Sequence, residues 1–235
     1  MDVKNIIVSV HQPNFLPWIG YFYKIAKSDI FVYLDNVQFI KRSYINRVKI
    51  KTINGAQWIT VPVKTKGRYL QEIDKVEIDN NLDWRKKFLG MLKTNYSKSP
   101  FFEFYFSNLK ERISKDFCCL IDLNIELIDW IFVELAINKK VLRASEIIDD
   151  NYKSTDRIIS ICKALAANAY LSGFGGQNYQ EKFIFDKNNI DLKVYNFKHP
   201  VYKQLWGEFV PGLSILDYMF NIDIEKIKEF FNEIQ

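Results

Sequence analysis

The chain has 235 residues, of which 48% are hydrophobic and 26% charged, a composition typical of a globular protein and not of a disordered one. It contains no run of about 18 apolar residues and no evident signal peptide, so we expect no membrane span and a cytoplasmic location. The formal net charge is +5, but residues 39–75 alone hold nine Lys or Arg against two acids. Such a basic zone attracts a nucleotide, a phosphorylated sugar or an RNA, unless it is only a solvated face.

The first predicted elements form a βαβ unit. The β-branched run over residues 6–10 predicts a buried strand, and residues 18–27, after a proline-bounded loop, have apolar side chains at helical spacing. A second strand is predicted over residues 29–34. A strand, a helix and a strand at this spacing are typical of a parallel pair with a right-handed crossover.

The middle of the chain changes from strands to helices. Asn54-Gly55 lies between two alternating runs and predicts a β-hairpin with strands over residues 47–52 and 57–63. We expect a further short strand over residues 75–78. Three helices are then predicted, over residues 84–95, 101–115 and 120–138.

The last third alternates between strands and helices again. Strands are predicted over residues 140–145, 169–171 and 192–197, and helices over residues 154–167 (with Ser154 as N-cap), 214–220 and 224–231. We therefore predict an α/β fold with a mostly parallel, Rossmann-like sheet. Residues 1–80 and 140–235 would form its α/β core, with residues 81–139 as a helical insertion or layer within one compact unit.

Cysteine and histidine are scarce. The three cysteines, Cys118, Cys119 and Cys162, have neither the number of a disulfide framework nor the spacing of a zinc site, so we expect buried, reduced thiols. The two histidines, His11 and His199, exclude a histidine-rich metal centre. We therefore predict no metal site.

His11 is the first candidate catalytic residue. It follows the first predicted strand and precedes the first predicted helix, where open α/β sheets bind ligands and a helix amino end favours anions. A histidine there can donate to a phosphate or exchange a proton near neutral pH, unless it is only held by loop packing. The candidate binding residues beside it are Gln12, Trp18 and Tyr21.

Asp35 is the second candidate catalytic residue. It ends the second strand of the same βαβ unit, so we expect it to face the crevice of His11 and to accept sugar hydroxyls or orient an imidazole. A turn aspartate is the alternative. The candidate binding residues that follow it are Gln38, Asn46, Arg47 and Lys64, with the planar guanidinium of Arg47 suited to phosphate.

A glycine-rich turn and a second histidine complete the candidates. The turn follows a predicted strand, which suits close approach to a ligand, although a tight turn is the alternative. Its candidate residues are Ser172, Gly173, Gly175, Gly176 and Tyr179. His199 also follows a predicted strand, so we expect both histidines to share one rim as acid and base. Its associated candidates are Tyr202, Gln204, Ser214 (more commonly a helix cap) and Asp217.

Four segments together resemble the WbqC-like protein family. They are His-Gln-Pro-x-x-x-Pro-Trp-x-Gly-Tyr at 11–21, Leu-Asp-x-x-Gln-Phe at 34–39 with Asn-Arg at 46–47, Tyr-Leu-Ser-Gly-x-Gly-Gly-x-x-Tyr at 170–179, and His-Pro-x-Tyr-x-Gln at 199–204 with Leu-Ser-Ile-Leu-Asp at 213–217. The family is common in bacterial O-antigen (lipopolysaccharide) and other polysaccharide gene clusters. The resemblance implies a transferase that forms an amide on a nucleotide-linked amino sugar, from an activated amino acid or acyl donor such as an aminoacyl-tRNA.

Two alternatives stay open. The opening strand, His turn and helix are also similar to nucleotidylyltransferases and pantothenate synthetase, which implies an ATP-dependent ligase with ATP and Mg²⁺ as the donor-activating substrate. Residues 18–21 stand where those proteins have their second histidine. Aromatic residues in the basic zone (Tyr44, Trp58 and Tyr69) instead favour a non-catalytic module that binds RNA or a partner protein. The sequence predicts no oligomeric state.

Overall fold

The structure is a computed structural model that describes residues 5–149, 152–173 and 181–234. In chain order its elements are β1 (Ile7–His11), α1 (Ile19–Ala26), β2 (Ile30–Tyr33), β3 (Arg47–Thr52), β4 (Gly55–Thr60), α2 (Trp84–Tyr96), α3 (Phe102–Ile113), α4 (Leu120–Glu134), β5 (Lys140–Arg143), α5 (Ala144–Ile147), α6 (Ser154–Ala164), β6 (Ala169–Ser172), α7 (Lys182–Lys187), β7 (Asp191–Val194), α8 (Ile215–Asn221) and α9 (Ile224–Asn232). A short 3-10 turn covers Ile73–Lys75.

Five strands form one sheet in the order β5-β2-β1-β6-β7, and each neighbouring pair is parallel. β3 and β4 form the predicted antiparallel hairpin around Asn54-Gly55, although β4 covers Gly55–Thr60 and not residues 57–63. The predicted α/β fold with a Rossmann-like sheet is therefore confirmed. The chain leaves β1 on one side toward β2 and later returns on the other side as β6, so the strand order reverses between β1 and β6.

Apolar residues cover both faces of the sheet. Along β2, Ile30 and Val32 pack in a cluster with residues of α6 and α7, whereas Phe31 and Tyr33 pack in a larger cluster with α1 and α4. Successive side chains of a strand point to opposite faces, so this continuous apolar run is buried on both sides. The sheet lies between two layers of helices, which is the arrangement of a doubly wound fold.

The helices α2, α3 and α4 share the larger cluster with α1, β3 and the C-terminal helices α8 and α9. Asn124 of α4 is fully buried, and its Nδ2 donates to the carbonyl oxygens of Pro13 and Ile45, both at 2.8 Å. Those carbonyls belong to the loops that follow β1 and precede β3. The helical layer thereby fixes the loop that carries the first sequence motif.

Several predicted elements differ from the structure: the strands predicted over 140–145 and 192–197 end at Arg143 and Val194, and α5 and α7 were not predicted. The segment predicted as a strand over residues 75–78 follows the 3-10 turn and makes only isolated bridges, one of them between Val63 and Ile78. The third helix of the layer ends at Glu134 and not at residue 138, because Ala136 has a φ of 53°, which is incompatible with continuing a helix.

The three cysteines are not all buried. Cys162 is buried, and burial raises the pKa of its thiol to about 12, whereas Cys118 is exposed and corrects the expectation of buried thiols.

Among the described residues, no group of three His, Cys, Asp or Glu side chains is placed to hold a metal ion. In the same part of the chain, no helix has the length and apolarity needed to traverse a bilayer.

Candidate functional site

A cavity of about 1370 Å³ opens at the carboxyl edge of the sheet. Its lining includes His11 at the end of β1, Ser172 at the end of β6 and Tyr195 just after β7, together with Lys24 of α1 and Arg157 of α6. The cavity therefore lies where the strand order reverses, which is where open α/β sheets bind ligands. It exceeds the roughly 300–1,000 Å³ of ordinary small-molecule sites.

His11 is partly buried in the wall of this cavity. Its Nδ1 lies 3.2 Å from the carbonyl oxygen of Gln12. Because a carbonyl oxygen only accepts hydrogen bonds, this contact assigns the proton to Nδ1 and leaves Nε2 as an acceptor. The rings of Tyr21 and Trp18 pack edge-on against the imidazole, at centroid distances of 4.9 and 5.8 Å. Burial, and secondly the charge of Lys24, lowers the pKa of His11 from 6.5 to about 3, so the ring is neutral at pH 7.

Lys24 lines the same cavity from α1, although only 4% of the residue is exposed. Its Nζ donates to the carbonyl oxygen of Val10 at 2.8 Å and lies 5.8 Å from the centroid of the Tyr170 ring. No carboxylate of the described residues lies within ion-pair distance of this nitrogen. Burial lowers the pKa of the Lys24 ammonium from 10.5 to about 7.

The amino end of α6 forms another part of the lining, through Lys153, Ser154 and Arg157. Ser154, predicted as the N-cap, lies inside the helix with a φ of 52°, and the capping position is taken by Lys153, which makes no side-chain bond to the first turn. Arg157 is oriented by Nη1 hydrogen bonds of 2.9 and 2.8 Å to the carbonyl and side-chain oxygens of Asn36. A helix amino end beside two cationic side chains suits a phosphate.

The aromatic part of the wall depends on Gly20. A Cβ on Gly20 would lie 2.8 Å from Nε1 of Trp18 and 3.0 Å from the ring of Phe197, and both of these residues line the cavity. Tyr195 also donates its hydroxyl to the Gly20 carbonyl at 3.2 Å. The missing side chain thus lets the segment after β7 lie directly against α1. Aromatic faces of this kind suit a base or a sugar ring.

Comparisons with known proteins agree with the resemblance seen in the motifs. The model of the WbqC-like protein family matches residues 12–229. This chain belongs to the WbqC-like protein family. It is also 36% identical over 226 residues to Rv1507c, an uncharacterized protein of Mycobacterium tuberculosis, with 93% of this chain and 94% of that protein covered. No solved structure matches the chain.

Among the predicted site residues, those of the first WbqC-like motif contribute most to the cavity lining and those of the fourth contribute none. The predicted site residues that line it are His11, Gln12, Trp18, Gln38, Ser172 and Gly173. Ser172 is fully buried and donates its hydroxyl to the Gly173 carbonyl at 3.1 Å. Three predicted residues of the third WbqC-like motif lie outside the described residues, namely Gly175, Gly176 and Tyr179.

Asp35, in the second WbqC-like motif, was expected to face the crevice of His11, but the structure places it elsewhere. It is buried, and its carboxylate accepts hydrogen bonds from the amide of Ser145 at 3.0 Å and from the hydroxyl of Ser145 at 2.7 Å. Each carboxylate oxygen accepts one of these hydrogen bonds, and Asp35 is not part of the cavity lining. It therefore stabilises the junction between the end of β2 and α5.

His199, in the fourth WbqC-like motif, also lies outside the cavity lining. Its Nδ1 is 2.9 Å from the carbonyl oxygen of Pro200, and its ring packs against Phe197 and Phe209 at centroid distances of 5.7 and 5.4 Å. His199 therefore lies behind Phe197, which does line the cavity, and is not itself a lining residue. Of the two imidazoles, His11 lines the cavity.

The rest of the fourth WbqC-like motif forms a buried polar network. Asp217 of α8 is fully buried and accepts hydrogen bonds from the hydroxyls of Tyr202 at 2.7 Å and Tyr96 at 2.8 Å. Burial raises the pKa of Asp217, and the two phenol bonds oppose that change. Gln204 exchanges hydrogen bonds of 2.9 and 2.8 Å with the backbone of Val210. These contacts tie the loop before α8 to the helical layer.

Two further motif residues hold the loop after β1. Ser214 caps α8, because its hydroxyl oxygen accepts from the amide of Leu216 at 3.3 Å, and it also donates to the carbonyl of Leu16 at 3.0 Å. The hydroxyl of Tyr21 donates to the carbonyl of Gln12 at 3.1 Å. Neither residue is part of the cavity lining, but both fix the backbone on which the cavity residues stand.

The candidates in the basic zone contact other protein groups. Asn46 is buried and donates to a backbone carbonyl at 3.0 Å. The guanidinium of Arg47 lies 4.0 Å from the centroid of the Trp58 ring, which is a cation–π contact. Lys64 pairs with Glu77 at 2.8 Å, and this hydrogen bond raises the pKa of Lys64. None of these three candidates lines the cavity.

Sequence reasoning missed Lys24 and Arg157. Lys24 lies on the side of α1 opposite its row of apolar residues, so the sequence pattern predicts that the Lys24 side chain is exposed. A signal was nevertheless present, because Gly20 lies one turn earlier on the same face and permits another segment to cover it. Arg157 lies in the first turn of the predicted helix over residues 154–167. Among the helix amino ends, only that of the first predicted helix was expected to bind an anion.

Proposed function

We propose that the protein is a transferase that forms an amide on the amino group of a nucleotide-linked amino sugar, in the cytoplasmic biosynthesis of O-antigen or another surface polysaccharide. The sugar amine attacks the carbonyl carbon of an activated amino acid or acyl donor. The donor's leaving group departs, and the amine loses one proton. The chain must therefore bind a diphosphate and a sugar, and must hold a group that accepts the amine proton.

The observation that carries this proposal is the composition of the cavity at the strand reversal. One wall holds a neutral imidazole, His11, and the amino end of α6 brings the cationic side chains Lys153 and Arg157 to the same space. Diphosphates bind well at a helix amino end with basic side chains. Trp18 and Phe197 add aromatic faces for the base or the sugar. The volume of about 1370 Å³ accommodates a donor beside the nucleotide sugar.

His11 is the group that we assign to accept the amine proton. Its Nδ1–H is directed to the Gln12 carbonyl, so Nε2 is free of a proton. With its pKa lowered to about 3, the ring is uncharged before substrate binds but is a weak base. A diphosphate in the same cavity stabilises the imidazolium and raises this pKa, so His11 becomes a stronger base when the substrate is present.

The proposal is tested by product formation. Purified protein is incubated with UDP- and dTDP-linked amino sugars and with acyl-CoA, aminoacyl-tRNA, or amino acid plus ATP, and the amide is measured by mass spectrometry. We expect an amide from at least one pair. At a hundred times its dissociation constant, the matching nucleotide sugar should raise the free energy of unfolding by about 2.7 kcal/mol. A folded protein that forms no amide and gains no stability from any nucleotide sugar would refute the proposal.

Two variants locate the base. His11→Asn should lower turnover by about 10²–10⁴-fold while nucleotide-sugar binding remains. His199→Asn is the comparison, and we expect it to retain turnover because His199 lies outside the cavity lining. If only the His199 variant lost turnover, the base would be His199 and not His11. Release of AMP or pyrophosphate from ATP during the reaction would favour the ligase alternative.

A further inference from the structure

We propose that Lys24 is an internal phosphate-binding cation, which takes up a proton when a phosphate of the ligand enters the cavity. The inference rests on the proposed function for the identity of that ligand, a nucleotide-linked sugar. The site itself is argued from the position of Lys24. It is distinct from the amino end of α6, because Lys24 reaches the cavity from α1.

The first argument is the incomplete bonding of the ammonium group. A lysine ammonium has three donors, and at Lys24 one of them is directed to the Val10 carbonyl at 2.8 Å. Lys64 shows the ordinary situation, since its ammonium is exposed and pairs with Glu77. Lys24 is 4% exposed, and no carboxylate within the described ranges is at ion-pair distance. Removing a charge from water is costly unless an opposite charge is supplied. An anion in the cavity would supply it.

The second argument concerns which anion fits. The cationic side chains of the described lining are Lys24, Lys153 and Arg157, of which Arg157 is already bonded to Asn36, and the carboxylate of Glu72 in the same lining is paired with Lys75. A diphosphate carries at least two negative charges and matches this excess better than a single carboxylate does. The amino end of α6 adds backbone N–H donors, which also favour an anion. A phosphate is therefore the anion that we assign to Lys24.

The third argument is the coupling to protonation. Burial lowers the pKa of Lys24 to about 7, so most molecules hold a neutral amine at pH 8. A phosphate at hydrogen-bond distance favours the charged form and raises that pKa. The other titratable or charged side chains that share the cavity are His11, Glu72, Tyr152, Lys153, Arg157, Tyr170 and Tyr195. The pKa of His11 is about 3 and burial raises the pKa of Tyr195 to about 12, so a change of a few units on ligand binding leaves both groups neutral at pH 8. Proton uptake at pH 8 therefore reports on Lys24.

The test is titration calorimetry of the whole protein at pH 8 with UDP, dTDP, GDP and CDP, and with the corresponding nucleosides. At this pH the phosphates are fully ionised, so they release no proton of their own. Each titration is repeated in Tris and in HEPES, whose ionisation enthalpies differ, which gives the number of protons taken up. We expect uptake approaching one proton per bound diphosphate, and no uptake with a nucleoside.

The variant Lys24→Met removes the charge and keeps a side chain of similar length. We expect it to weaken diphosphate binding by about 10- to 100-fold and to abolish proton uptake. Lys27→Met is the matched control, because Lys27 is exposed at the end of the same helix and should behave like the wild type. If Lys24→Met does not fold, the wild-type measurement in two buffers still tests the proposal, because the proposal requires proton uptake by the wild-type protein.

The outcomes separate this inference from the proposed function. Diphosphate binding and proton uptake that are unchanged in a folded Lys24→Met protein would overturn the role of Lys24, and amide formation could still be observed. Binding that depends on Lys24 without any amide product would overturn the proposed function and leave the phosphate site intact. A wild-type protein that binds no diphosphate, or binds one without proton uptake, overturns the inference.

Discussion

Lys24→Met should stabilise the protein at neutral pH, because it removes a buried ammonium. Burial lowers the pKa from 10.5 to about 7, which corresponds to a penalty of about 5 kcal/mol for folding with a protonated lysine. The variant loses the hydrogen bond to the Val10 carbonyl and leaves that oxygen unpaired, which costs about 1–3 kcal/mol. We therefore expect a net gain of about 2–4 kcal/mol at pH 6.5.

The sign of the pH dependence follows from linkage. Between pH 7 and 10.5 the unfolded chain binds more protons at Lys24 than the folded chain, so wild-type stability rises with pH over this range. The advantage of Lys24→Met should thus shrink by about 3 kcal/mol between pH 6.5 and 9.5.

The assay is urea unfolding of both proteins, followed by circular dichroism, at pH 6.5, 8 and 9.5 without ligand. Lys27→Met is again the control, since Lys27 is exposed and should show no such pH-dependent difference. A Lys24 variant that is less stable than the wild type at pH 6.5, with a difference that does not change with pH, would refute the argument that this ammonium is desolvated and unpaired.

Two further substitutions, Gly20→Ala and Asp35→Ala, test the support of the site, and Gly90→Ala is a control. Gly20→Ala should destabilise the protein by about 1–3 kcal/mol and narrow the cavity, because the new Cβ meets Trp18 at 2.8 Å and Phe197 at 3.0 Å. Gly90→Ala, with nothing within 4 Å, should instead stabilise it by about 0.5–1 kcal/mol, and equal urea midpoints for the two variants would contradict this. Asp35→Ala should lower the unfolding free energy by about 1–3 kcal/mol through the loss of two hydrogen bonds to α5, and unchanged stability would show that they contribute little.

The elements with local sequence signals were predictable. The β-branched run before His11 and the apolar spacing after Pro17 specify the βαβ unit, and Asn54-Gly55 specifies the hairpin, because each signal lies within a few residues of the structure that it determines. The position of His11 at the carboxyl edge follows directly from that unit. The residues from the first motif that line the cavity were accessible to sequence reasoning for the same reason.

The positions that depend on distant contacts were not predictable. His11 lies opposite Tyr33 in the parallel register, so Asp35 lies beyond the end of β2, and its side chain turns to a serine more than a hundred residues away. The ammonium of Lys24 contacts the Val10 carbonyl and the Tyr170 ring, which lie 160 residues apart in the chain. Hydrophobic periodicity describes one element at a time, and it therefore carries no information about which distant segment covers the polar side of α1.

The two hydrogen bonds from Asn124 imply that the helical segment cannot be treated as a detachable module. Its buried side-chain amide donates to one backbone carbonyl in the loop after β1 and to another just before the hairpin, so excising residues 81–139 would remove the contact that holds the loop carrying Gln12 and Trp18. Substitutions that vary the wall of the cavity should therefore leave that amide in place.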